Sequence, residues 1–370
     1  MSKINVFGSI AGQTGYDSHC RGLIEGLSDV GVDVYVETPL APMWDRSPNL
    51  SDKLINIIRK GASPRSPTVM ITQPIYWGLK LSDRPEKFFG FLIHEGDCLP
   101  TGWSDICNDV RVTKVLVPSL HTKDAALKSG VKEDKIVLVQ HGVNVDLFKE
   151  GVSKGGFEKL KDGTTCNFLF AKGWSQGVDD RSGFDILHKA YNEEFVKGEP
   201  VKLVAHINAV YNQPTWNFGQ ELVKAGCKLE GAPLVHIQNQ LPFKNLPDLY
   251  NTSDFVMSAS KAEAFNLTIL EGMACSLIPI VPKTGAEMEY VNETNGFLYG
   301  YETEILATGG FLYDGVYWKL PSKDALKRAL RKAFELWQDK EKLAEKKKQA
   351  RLTAEKMTWK DSAKQLLEAV

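Results

Sequence analysis

Short apolar runs bounded by small or polar residues recur along the chain, separated by segments whose apolar positions return at helical spacing. Lys3 to Phe7, Val32 to Val36, Thr68 to Thr72, Lys87 to Ile93, Lys114 to Pro118 and Ile136 to Val139 read as buried strands. Helices are predicted between them at about Asp17 to Leu27, Lys53 to Lys60 and Lys123 to Ser129. After a polar, glycine-bearing stretch at 149–165, which has the composition of a linker, a second series begins. Its strands are Asn167 to Ala171, Val201 to Ile207, Val235 to Asn239, Asp254 to Met257, Leu277 to Val281 and Gly296 to Tyr299. Helices are predicted from Phe184 to Tyr191, near Pro247, and from Asn266 onward. Strands that alternate with helices in this way predict parallel sheets covered by helices. The expected organisation is α/β, with one domain at 1–155, a second at 156–350 and a final amphipathic helix within 351–370. Ser322 to Arg351 reads as one long charged helical segment whose lysines and glutamates interleave on a solvated face. Residues 300–320, rich in aromatics, read as a surface insertion.

The bulk numbers narrow the function. A chain of 370 residues exceeds one ordinary core. Its net charge of -1 provides no general attraction to nucleic acid, and membrane association is peripheral at most. The six cysteines form no Cys-x-x-Cys and no Cys/His cluster, which predicts thiols in a reducing compartment and no zinc site. With no apolar run near the roughly 20 residues that span a bilayer and no leader pattern at Met1 to Gly8, a cytoplasmic protein is expected.

Candidate chemistry concentrates in Ser258 to Pro282. A strand arrives at small residues, a loop follows, and Asn266 stands where an N-cap would accept from the first-turn amides. Glu263 precedes that position, while Glu271 lies roughly 7 Å along the helix axis at 1.5 Å per residue. The two acids cannot serve one atom. They flank a helix head that favours an anion, so a diphosphate there would have a sugar near one acid and a ribose near the other. The first strand leads into Gly8, Gly12 and Gly15, which let backbone approach a bound group. Their spacing is not Gly-x-Gly-x-x-Gly, although Glu37 stands where a dehydrogenase would hold a ribose. His94 and Asp97 follow a strand at the carboxyl edge, where ligands of parallel sheets bind. Lys172 follows the first strand of the second series, and Arg181 precedes its first helix.

The pattern Glu263-x7-Glu271, with the Gly285 to Glu289 segment behind it, resembles the signature of family 4 retaining glycosyltransferases. The exit from the first domain, His141-Gly-Val-Asn followed by Asp146-x-Phe148, is similar to that family's as well. The usual glycines around the phenylalanine are Ala264 and Asn266 here. The resemblance implies two facing Rossmann-like domains (GT-B) with an interdomain cleft, and a last helix that crosses back to the first domain. It implies a nucleotide diphosphate sugar, UDP- or GDP-linked, as donor on the second domain. The acceptor, a glycan, a lipid-linked group or a small molecule, would lie on the first, with Asp97 as its candidate contact. Gly15 would lie over the donor phosphates and His94 beside the transferred sugar. Phe265, Asn266, Leu267 and Glu271 would bind the donor, and Glu263 would meet the sugar hydroxyls. Lys172 and Arg181 would clamp the diphosphate, Arg181 standing in for a lysine that the family places just before Gly183. The nucleobase would sit against the loop after the 201–207 strand and the turn near 236–241. No Asp-x-Asp occurs, so cations and amides rather than a metal are expected to hold the leaving group, with no cofactor. Two alternatives stay open at this point: a non-catalytic nucleotide-sugar or glycan-binding partner subunit, which the missing lysine favours, and a nicotinamide-dependent oxidoreductase.

Overall fold

A computed structural model describes residues 3–38, 47–151, 154–174, 177–207 and 216–369. In chain order the strands are β1 (Lys3–Gly8), β2 (Asp33–Glu37), β3 (Thr68–Ile71), β4 (Phe88–Phe91), β5 (Lys114–Val117), β6 (Ile136–Leu138), β7 (Cys166–Ala171), β8 (Val201–His206), β9 (Leu234–Ile237), β10 (Phe255–Met257), β11 (Ile278–Pro282), β12 (Phe297–Tyr299), β13 (Tyr301–Leu306) and β14 (Tyr317–Pro321). The helices are α1 (Gly15–Asp29), α2 (Asp52–Ile58), α3 (Gly78–Leu81), α4 (Trp103–Asn108), α5 (Leu120–Lys128), α6 (Phe184–Glu194), α7 (Phe218–Lys224), α8 (Leu246–Tyr250), α9 (Leu267–Ala274), α10 (Lys323–Gln338), α11 (Lys340–Ala354) and α12 (Trp359–Ala369). Two compact units result, one of residues 1–144, 309–317 and 357–370, the other of 145–308 and 318–356.

Each unit is built on a parallel sheet of six strands. The first runs β2-β1-β3-β4-β5-β6 and the second β12-β11-β10-β7-β8-β9. The apolar runs dictate this arrangement, because strands buried on both faces need helices above and below. In the second unit Phe168, Phe170, Leu203, Phe255, Ile278 and Ile280 form one core with Phe184 and Leu187 of α6 and Leu330 of α10. In the first, Ile4, Val6, Val34, Val69 and Phe91 pack with Leu23 and Ile24 of α1 and Leu366 of α12. The order of strands reverses beside β1 in the first sheet and beside β7 in the second. Loops diverge at such a reversal and leave a crevice at the carboxyl ends of the strands.

Three expectations are corrected. The segment 322–351 is two helices, broken at Asp339, whose side chain accepts from the Lys342 amide and so starts α11. Its cations also do more than sit in solvent. Lys347 pairs with Asp254 at 2.8 Å, Lys346 donates to the Glu293 and Gly296 carbonyls, and Arg351 donates to the carbonyls of Phe148 and of Ala274 at the end of α9. The third correction concerns 300–320. It contains a two-stranded sheet, β13 with β14, and its residues 309–317 are part of the first unit, with Val316 fully buried. The loop expected to hold a nucleobase after β8 lies largely outside the described residues.

Helix α12 seats on α1 through Trp359, whose ring covers Gly22, and Gln140 is bonded at both its amide and its carbonyl by Gln365 and Ser362. A Cβ on Gly22 would stand 2.1 Å from Trp359 Cε2. Gly22→Ala is therefore expected to destabilise the first unit by about 1–3 kcal/mol despite alanine's better helix propensity. Thermal unfolding checks this, and a melting temperature equal to or above wild type would refute the packing argument.

Candidate functional site

The reversal beside β7 brings together the two segments richest in candidate chemistry. Lys172 follows the last residue of β7, and the loop 258–266 follows β10 on the adjacent strand. The first turn of α9 is tied to the same place by a bond of 3.3 Å from Thr268 Oγ1 to the Ala171 carbonyl. Gly183 at the head of α6 closes on the loop from the other side. Its φ is +65°, and a Cβ there would lie 2.1 Å from the Ala259 carbonyl oxygen, so no other residue fits.

Five of the loop's carbonyls are taken up by the segment that follows β11. That of Ser258 accepts from the Tyr299 hydroxyl at 2.8 Å, Ser260 from Thr284 at 2.7 Å and Glu263 from the Ala286 amide at 3.1 Å. Tyr290 donates to the carbonyls of Phe265 at 2.7 Å and Asn266 at 3.1 Å, while its ring stacks on Phe265. The segment 284–299 thus holds the loop by its acceptors. At the start of α9 the amides of Asn266, Leu267 and Thr268 make no hydrogen bond to the described residues. Those amides carry the positive end of the helix dipole.

Asn266 does not cap this helix as expected. It is left-handed, at φ +72°, and its side chain turns inward, donating to Glu287 Oε1 at 2.6 Å and Ser258 Oγ at 3.2 Å. The correction has a simple cause: a buried carboxylic group competes for the amide that would otherwise fold back on its own helix. As a result the helix head is uncapped.

Three of the charged residues expected at this site, Lys172, Arg181 and Glu263, converge. Lys172 Nζ lies 2.6 Å from Glu263 Oε1 and 3.0 Å from Ser260 Oγ. Arg181 Nη1 lies 3.0 Å from the same glutamate oxygen and donates to the Ala262 carbonyl at 2.6 Å. Burial pushes the Glu263 carboxyl up, but Arg181 and Lys172 outweigh it and hold the group at about 2. Glu287, fully buried nearby, goes the opposite way. Burial first, and then the charge on Glu263, raise it to about 7. Glu271 stands apart, on the inner face of α9, accepting from the Tyr250 hydroxyl at 2.7 Å. Lys261, also buried, donates to the Val178 carbonyl.

The remaining expected residues belong to the first unit. In the loop after β1 the backbone approach is made by the protein itself: Gly8 abuts Cys20 and Gly12 abuts the Asp17 carboxylate. That carboxylate accepts from the Gly12 and Thr14 amides and from Ser9, completing a capping box with Thr14. Gly15 alone faces open space. Glu37, the residue on which a dinucleotide reading leaned, is held by Lys80 at 2.7 Å. His94 is 1% exposed, walled by Trp103 and by Tyr313, and its Nε2 has no partner among the described residues. Burial lowers its basicity. Residues 309–317 cover this loop: Tyr313 donates to Glu95 at 2.9 Å, the Tyr317 amide donates to Asp97 at 2.8 Å, and Val316 packs on Gly96.

Sequence reasoning named the segments 258–282 and 285–289 but singled out neither Ser258 and Ser260 in the first nor Glu287 in the second, and it gave Tyr250 no role. Each lies on an apolar background where a single polar residue carries no periodic signal. Only the expectation that a buried polar group needs a partner points to them.

Comparison with known proteins places this architecture. The model of the family described as Glycosyl transferases group 1 matches residues 220–350. No curated protein matches the sequence. Among solved structures the chain is similar to Anabaena HepE in complex with UDP-glucose, with a TM-score of 0.69 at 14% identity over 100% of both chains. It is similar also to a glycosyltransferase from Rickettsia africae, with a TM-score of 0.68 at 18% identity over 99% of this chain and 97% of that one. A third is the sucrose-phosphate synthase of Thermosynechococcus elongatus, at 0.67 and 14% identity, over 100% of this chain and 98% of that one. The fold is that of the GT-B glycosyltransferases, with two Rossmann-like domains.

The ion cluster sets a pH dependence of stability. Glu263 titrates at about 2 folded and near 4.5 unfolded, so its contribution is complete above pH 4.5 and is lost as pH falls toward 2. Glu263→Gln should cost on the order of 3 kcal/mol at pH 7, since it leaves buried cations without a counter-charge. Urea unfolding at pH 7 and pH 3 should give a smaller difference from wild type at the lower pH. An equal difference at both would remove the ion pair as the source.

Proposed function

We propose that this chain is a glycosyltransferase that moves a sugar from a nucleoside diphosphate sugar to an acceptor hydroxyl with retention of anomeric configuration. The observation that carries the reading is the uncapped head of α9 beside Lys172 and Arg181. Unengaged amides, a helix dipole and two cations are what a diphosphate requires. The family match over 220–350 and the UDP-glucose seen with HepE make UDP-linked sugars the first donors to test.

In this reading the diphosphate takes a share of Lys172 and Arg181 from Glu263. The released carboxylate is then available to the sugar hydroxyls, and the cations neutralise charge that grows on the leaving phosphate. Glu271, held by Tyr250, sits in the helix beyond the diphosphate and is assigned to the ribose. Arg181 acts as the second cation in place of a lysine. The chain has no Asp-x-Asp, and these side chains with the helix amides are assigned the work of holding the leaving group without a metal. The acceptor belongs to the first unit, whose His94 loop carries Asp97.

Retention follows from a front-face exchange. The bond from anomeric carbon to phosphate oxygen breaks, the acceptor oxygen bonds the same face, and its proton passes to the leaving phosphate. Glu263, held at about 2 by Arg181 and Lys172 before a donor binds, is assigned to steady positive charge at the sugar rather than to give up a proton.

Calorimetry against UDP-, GDP- and ADP-sugars, followed by a hydrolysis and transfer assay with the donor that binds, tests the proposal. Lys172→Ala and Glu271→Ala should each weaken donor binding by about tenfold or more, the equivalent of one charge-assisted hydrogen bond. Glu263→Ala should chiefly lower turnover. Three variants with wild-type binding and rate would dissolve the site, and a sugar trapped covalently on a side chain would dissolve the front-face route.

A further inference from the structure

Glu287 is a polar anomaly in the second unit. Its side chain is fully buried, Oε1 meets Asn266 Nδ2 at 2.6 Å, and Oε2 has no hydrogen-bond partner among the described residues. Burying an ionised carboxylate with one oxygen unsatisfied is costly, whereas a carboxylic acid tolerates it. The groups that face it come from four places. They are Glu263 of the loop, Lys172 after β7, Tyr290 beyond its own turn and Tyr299 of β12. Lys172 is already engaged by Glu263 and Ser260. Neither tyrosine has a proton to spare, since each hydroxyl donates to a loop carbonyl. Among these groups no donor is left to stabilise an ionised Oε2.

The other end of the contact is equally particular. Asn266 Oδ1 is also buried without a partner, and Asn266 is one of only four described residues other than glycine with positive φ. Both the acid and the carboxylate accept the bond from Asn266 Nδ2, so it is the buried, unpaired Oε2 that favours the neutral form. A chain of bonds then runs from Glu287 through Asn266, Ser258 and Ser260 to Lys172, and so to Glu263.

We propose that Glu287 is a positioning residue of the donor site that works as a neutral acid. It accepts from the Asn266 side chain, which is thereby held away from the head of α9 and leaves the helix amides free for a phosphate, and with its proton on it adds no negative charge beside that phosphate. The proposal rests on the donor reading given above. Burial and the neighbouring Glu263 charge, which raise this carboxyl to about 7, agree with it and set the window. The folded chain holds a proton that the unfolded chain loses near 4.5, so stability falls as pH rises from about 4.5 to 7 and is then level. Binding that needs the neutral form falls above pH 7.

The test uses UDP as probe and compares wild type with Glu287→Gln, an uncharged stand-in of the same shape. Affinity by calorimetry from pH 6 to 9 should fall in wild type, relative to Glu287→Gln, by about tenfold per pH unit above 7. Ionisation of the UDP phosphate is common to both proteins and cancels in the ratio. Parallel profiles would overturn the proposal, as would a Gln variant that fails to fold at pH 7 by circular dichroism. If wild type binds none of UDP, GDP or ADP, the donor reading fails by itself. Thermal unfolding then decides the state of Glu287: wild type should lose stability relative to Glu287→Gln between pH 5 and 7.5, and an unchanged difference would show that it is ionised throughout.

Discussion

The second unit depends on how charge is balanced around one buried carboxylate. Glu263 is 7% exposed and is tolerable there only because Lys172 and Arg181 reach the same oxygen. Neither cation is on the loop that carries the acid. Lys172 follows β7 and Arg181 precedes α6, so the pairing locks three separate chain segments at the reversal of the sheet. A crevice at a reversal is a general property of parallel sheets. What makes this one specific is that its walls are charged and its floor is a helix head.

Polarity of the backbone completes the arrangement. Donors from 284–299 take up five of the loop carbonyls, and the amides of Asn266, Leu267 and Thr268 at its end make no hydrogen bond to the described residues. A peptide group cannot point both its dipole ends outward, so anchoring a loop by its acceptors fixes where its donors lie. The tyrosines do this from within an apolar shell: Tyr290 and Tyr299 are both buried and far above their ordinary titration range, through burial first and then the Glu287 charge.

Periodicity carried most of the architecture. Every apolar run read as a strand is one, with boundaries shifted by a residue or two, because strands buried on both faces leave an unmistakable record. Lys172, Arg181 and Glu263 were legible too, since charged residues beside small ones at strand ends stand out. What escaped is of a different kind. Asn266 has the composition of a cap, but its conformation is decided by Glu287, 21 residues away, and no local pattern encodes that competition. Lys346 to Arg351 look like a solvated face because their partners, the ends of α9 and of β10's approach, are distant in sequence. Residues 309–317 look like an insertion because nothing in their own composition says which unit they join, whereas Val316 on Gly96 and Tyr313 on Glu95 do.

Glu263 and Glu287 share one burial and differ in outcome, and the difference is set by charge count. Lys172 and Arg181 bring two positive charges and Glu263 one negative, so the ligand-free cluster is cationic by one when Glu287 is neutral. A diphosphate linking a sugar to a nucleoside brings two negative charges and turns that excess into a deficit of one. Were Glu287 ionised as well, the deficit would double in a volume from which water is excluded, where like charges repel most strongly. Two acids whose surroundings drive them apart can thus divide the labour: one always charged to pair with cations, the other uncharged so that an anion can enter. The unpaired Oε2 of Glu287 and the doubly engaged Oε1 of Glu263 are the visible marks of that division.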